Sequence, residues 1–83
     1  MLFGIYSYHD SLNGFMNVFI ERSDKIAIRG FQSAMATADV TSLFYSNPTD
    51  YALFKVAVID VETGVITPEI APVLLVRGAE RSV

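Results

Sequence analysis

The segment Asn47-Pro48-Thr49-Asp50-Tyr51-Ala52-Leu53-Phe54, running on to Asp60-Val61-Glu62-Thr63-Gly64-Val65-Ile66, constrains the fold more than any other part of the chain. Proline at 48 pushes Asn47 away from helical angles, so a turn is expected there. Tyr51 to Ile59 is rich in β-branched and aromatic residues and reads as a strand. Asp60 to Gly64 has the chemistry of a tight hairpin turn, with glycine supplying a left-handed residue, and Val65-Ile66 begins the return. A chain committed to this hairpin must bury one face of a sheet, and something elsewhere in the sequence has to cover it.

The covering element is a helix expected at about 23–37. Ser23 is placed as its N-cap, and Asp24 lies in the first turn, where a carboxylate meets the positive helix end. Ala27, Phe31, Ala34, Met35 and Ala38 recur at helical spacing, and Ile28 widens the stripe. Gly30 costs about 1 kcal/mol relative to alanine in a helix, unless it permits close packing on the sheet.

Ahead of the helix, Leu2 to Tyr8 and Phe15 to Ile20 read as antiparallel strands joined by a turn at His9 to Gly14. Beyond the hairpin, Pro68 and Pro72 restrict the chain to an edge or an irregular connection before a last short strand, Val73 to Arg77. Asp39 to Ser46 is a connection whose Val40, Leu43, Phe44 and Tyr45 pack down. Residues from about 79 to 83 form a tail. The expected fold is α+β: a small antiparallel sheet of about five strands, ordered β-β-α-β-β-β, with one helix packed on one face.

Size bounds the rest. Eighty-three residues form a single domain, 1–83, since so short a chain supports one core. Yet 52% of the residues are hydrophobic and mean hydropathy is +0.40, more apolar surface than one small sheet can hide. A homo-oligomer is expected, with a homodimer as the simplest form. There are no cysteines, which excludes disulfides, thiolate metal sites and a cysteine nucleophile. No apolar run reaches the roughly 18 residues of a membrane span, so no membrane partner is expected. The N-terminus lacks the basic region of a signal peptide.

Few constellations carry chemistry. His9-Asp10, flanked by Ser7 and Ser11, superficially suggests a hydrolytic group, but short polar residues and a histidine are ordinary turn residues. The nine acidic residues are scattered and no metal-ligand spacing or phosphate loop occurs. No catalytic residue, cofactor or metal is assigned, and no enzyme is expected. The basic residues are more informative. Arg22, Lys25 and Arg29 line one stripe of the helix, away from the apolar face, and make up half of the chain's six basic residues. The plainer reading is a solvated helix face. The functional reading is phosphate contact, with Tyr6 or Tyr8 available to stack on bases and a two-fold dimer doubling the patch. Glu21 and Asp24 beside the stripe weaken its field, and the formal net charge of −3 opposes charge-driven nucleic-acid binding by the surface as a whole.

Three blocks also come in a recognisable order: Asp24-Lys25-Ile26-Ala27-Ile28-Arg29-Gly30-Phe31, then Ser46 to Phe54, then Asp60 to Ile66. Together they resemble the small nonstructural protein of gokushovirus-type microviruses, bacteriophages with circular single-stranded DNA, over about residues 2 to 80. The resemblance implies a nonenzymatic DNA-binding protein, similar in role to the microvirus C protein, acting in the bacterial host cytoplasm. That role is to bind single-stranded viral DNA and favour genome packaging over further replication, with procapsid or replication proteins as further partners. Arg29 carries over as the arginine of the helical block. The other pattern positions are structural: Asp60, Thr63 and Gly64 in the hairpin turn, Pro48 and Asp50 at the strand entry, Phe31 and Phe54 between helix and sheet. The strand Lys55 to Ile59 departs from the pattern in lacking a Gly-Glu before the hairpin. A second reading stays open, a protein–protein adaptor that docks a replication or capsid component and never touches DNA. High hydrophobicity and negative charge favour it.

Overall fold

A computed structural model describes residues 1–80. Strands β1 (Leu2–Asp10) and β2 (Gly14–Glu21) precede helix α1 (Asp24–Ala36). A short helix α2 (Leu43–Ser46) and a 3-10 turn (Pro48–Asp50) lead into β3 (Tyr51–Asp60) and β4 (Ile66–Arg77). The four strands form one antiparallel sheet in the order β2-β1-β3-β4.

The architecture is α+β as expected, but the sheet has four strands rather than about five. The two pieces foreseen after the hairpin are one strand, β4. Ile66, Thr67 and Pro68 pair with β3, and so do Val73, Leu74, Val76 and Arg77 beyond a register shift, with Leu75 skipped at a second one. Between them Glu69 to Pro72 face only Val56, so the segment bulges out of the ladder. Prolines lack the N–H a central strand needs, and β4 tolerates Pro68 and Pro72 because it lies at the sheet edge.

The turns behave as their residues dictate. Asp60 Oδ1 accepts from the Glu62 N–H at 2.9 Å, Thr63 Oγ1 accepts from the Val65 N–H at 3.3 Å, and Gly64 takes φ +78°. At the first hairpin β1 continues past Tyr8 to Asp10, so His9 belongs to the strand and the turn shortens to Ser11–Asn13. Asp10 is the reason: its carboxylate accepts from the Leu12 N–H (2.9 Å) and the Asn13 side-chain amide (3.0 Å). Those bonds hold its pKa below the ordinary carboxylate range.

Ser23 caps α1, its hydroxyl accepting from the Ile26 N–H at 3.2 Å. Ala27, Phe31 and Met35 are buried against the sheet, forming the core with Tyr6, Tyr51 and Leu53. Phe44 of α2 closes one side, edge-on to Tyr51 at 4.6 Å between ring centres. Of the connection's apolar residues expected to pack down, only Phe44 does so; Val40, Leu43 and Tyr45 are exposed. Gly30 is also exposed, and a methyl group there would meet no atom within 4 Å. Close packing is therefore not its purpose. Gly30→Ala is expected to stabilise the fold by about 0.5–1 kcal/mol through helix propensity, read as a higher urea midpoint.

Among the described residues, nothing forms a second layer on the sheet's other face. Alternation and register place Ile5, Ser7 and His9 of β1 there with Phe15, Val18 and Ile20 of β2, Ala52, Phe54 and Ala57 of β3, and Leu74 and Arg77 of β4. Phe54 was expected between helix and sheet. It sits on this open face instead, because Tyr51 and Leu53 turn inward and the strand period sends Phe54 outward. Its ring lies 5.6 Å from His9 and 5.4 Å from Phe15, and His9 and Phe15 are 4.7 Å apart.

Candidate nucleic-acid interface

The α-helical period separates Ala27, Phe31 and Met35 from Lys25 and Arg29 by half a turn, so a helix buried on the first set must present the second to solvent. Arg22, Lys25 and Arg29 are all exposed, Arg22 just ahead of the cap and the other two on the outward side of α1. None of the three lies within ion-pairing distance of a carboxylate among the described residues; the ion pairs there involve Lys55 and the chain's N-terminal ammonium. Their side chains are available to an external anion.

Asp24, expected to weaken this stripe, stays partly exposed but is paired toward the sheet. Tyr6 donates its hydroxyl to Asp24 Oδ1 at 2.7 Å, and Lys55 Nζ stands 3.2 Å from the same oxygen. The Tyr6 hydrogen bond, opposed by partial burial and helped by Lys55, holds the Asp24 pKa below the usual range. Burial, then the Asp24 hydrogen bond, pushes the Tyr6 phenol well above its usual range. A Tyr6–Asp24–Lys55 latch thus ties the start of α1 to β1 and β3. Sequence reading missed it, although Lys55, a lone charge within the apolar run Tyr51 to Ile59, was the available signal: a charge facing a core needs a partner.

The latch has a pH signature. A carboxylate whose folded pKa is depressed stabilises the protein above its unfolded pKa of about 4 and loses that contribution as pH falls through the folded value. Stability should therefore decline on acidification below about pH 4. Asp24→Asn should lower stability at neutral pH and flatten the decline, as compared by urea denaturation at pH 6 and pH 3.

The aromatic residues named for base stacking fare differently. Tyr6 is fully buried beneath α1, so it has no face to offer a base. Its outward placement fails because β1 alternates without a break, with Ile5, Ser7 and His9 on the open face, so Tyr6 falls on the helix side, its ring lying over Gly4. Tyr8 is half-buried in a cleft of about 500 Å³ between α1 and β2, lined by Phe19, Phe31 and Phe44 with Asn17 and Glu21. Its ring centre lies 5.0 Å from Phe31 and 5.7 Å from Phe19, and burial raises its phenol pKa. The Glu21 carboxylate in the lining opposes entry of a phosphate, so the cleft is electrostatically distinct from the basic stripe.

The residues of the superficial hydrolytic motif have separate tasks. Buried Ser7 donates to the Met16 carbonyl at 2.9 Å across the β1–β2 bulge, His9 lies among the rings of Phe15 and Phe54, and Asp10 caps its turn. Among the described residues, no cluster of three or more His, Asp or Glu side chains could hold a metal ion, and no helix is long and apolar enough to cross a membrane.

Residues 3–81 match the model of a known family, described as Phage ORF5 protein. No curated protein and no solved structure matches the chain. With nearly its whole length covered by that match, the chain belongs to the Phage ORF5 protein family, a family of bacteriophage proteins.

Proposed function

We propose that this bacteriophage protein is a nonenzymatic binder of single-stranded viral DNA that assists genome packaging, in the manner of the microvirus C protein, within the host cytoplasm. The observation that carries the reading is the outward stripe of Arg22, Lys25 and Arg29, without carboxylate partners among the described residues, while Asp24 is paired with Lys55. Exposed cations on one helix face suit the phosphate backbone, whose neutralisation dominates nucleic-acid affinity. The resemblance to gokushovirus-type nonstructural proteins supports single strands as the target. With Tyr6 buried and Tyr8 recessed, stacking contributes little, so binding should be electrostatic and indifferent to base sequence.

A labelled single-stranded oligonucleotide titrated with the protein tests this. Binding should weaken steeply with added salt, and Arg29→Ala should weaken it further. An absent or salt-independent interaction removes the DNA part of the proposal.

The adaptor reading is favoured by a different observation, the open apolar sheet face with Val18 at 63% and Ile20 at 49% exposure. It would be selected by capture of a replication or procapsid protein together with no retardation of DNA.

A further inference from the structure

We infer that the open face of the sheet is a two-fold interface, packed against the same face of a second copy of this chain. Three observations lead there, and none depends on whether DNA is bound.

The first is chemical. The open face is apolar apart from the buried Ser7, His9 held between two phenylalanine rings, and Arg77 at one corner. Away from that corner it has no charge to offer a ligand, and its uncharged centre meets no like-charge conflict when it faces itself.

The second is area. Four strands about 4.8 Å apart and about nine residues long at about 3.3 Å each give a face of roughly 19 by 30 Å, or about 570 Å² projected per copy. Two copies together cover about 1,100 Å², and interdigitating side chains enlarge that, so the contact clears the roughly 1,000 Å² expected of a stable interface.

The third is order. His9, Phe15 and Phe54 pack ring against ring in the single copy, so these side chains lose little freedom on docking. The molecule is only 17 Å through its shortest axis, one sheet and one helix deep. A second copy completes a sheet-on-sheet sandwich about 10 Å between backbones, with the helices outside.

This arrangement changes the expected geometry of the basic stripe. The two copies of Arg22, Lys25 and Arg29 lie on opposite outer sides of the dimer rather than merging into one doubled patch.

Sedimentation over a range of concentrations tests the interface. The wild-type chain should sediment as a dimer. Val18→Glu and Ile20→Lys each place a charge on a side chain that a folded monomer already exposes, so helical circular dichroism should persist. Either should raise the dimer dissociation constant by roughly a hundredfold or more, because a charge would be buried against apolar groups. Val40→Glu, equally exposed at 69% but off the sheet, should leave the dimer intact. A wild-type monomer at about 100 µM, the range in which a contact of this size should hold, overturns the inference. A dimer that survives both face variants also overturns it and points to pairing through the β2 edge.

Discussion

Phe31→Ala is expected to lower stability by about 3–5 kcal/mol, the range for deleting a buried phenylalanine ring. Phe31 is 1% exposed and is the helix residue that meets Tyr8 edge-on while closing over the core shared with Tyr6 and Leu53. A chain of this length has only about 4–12 kcal/mol in total. The variant should therefore lose most of its urea midpoint, compared at equal protein concentration because self-association adds to apparent stability. A drop below about 1 kcal/mol would mean that α1 does not close the core as described.

The opposite pattern is expected of the triple variant Arg22→Ala, Lys25→Ala, Arg29→Ala. All three side chains are exposed and without an ion-pair partner among the described residues, so stability should stay within about 0.5 kcal/mol of wild type. Affinity for single-stranded DNA at low salt should fall on the order of a hundredfold, taking about 1 kcal/mol per exposed cation–phosphate contact. Together the two variants separate the inner face of one helix, which holds the fold, from its outer face, which is proposed to hold the ligand.

Much of this division is legible in the sequence. The Ser23 cap, the Ala27/Phe31/Met35 period and the Asp60-to-Gly64 turn are local signals, each fixed by neighbours within a few residues, and all three stand in the structure. What the sequence hid is non-local. The face on which a strand residue lies depends on pairing register, and bulges at three strand junctions shift it. Tyr6 and Phe54 follow plain alternation, but which parity of each strand meets α1 is set only by the tertiary packing, and two proline-marked segments join into one edge strand. The Tyr6–Asp24–Lys55 latch joins residues from three elements, so no window along the chain displays it. The basic stripe was readable because a helix carries its own period, whereas the cleft beside β2 exists only once α1 sits over β1 and β3.

Fold and proposal meet in one quantity, the slope of log affinity for single-stranded DNA against log salt concentration. If Arg22, Lys25 and Arg29 each neutralise a phosphate, the wild-type slope should be near −2 per copy, at about −0.7 for each contact on a single strand. The triple variant should bring it close to zero. An unchanged slope in the triple variant, or a flat one in the wild type, would contradict the assignment of this helix face to DNA.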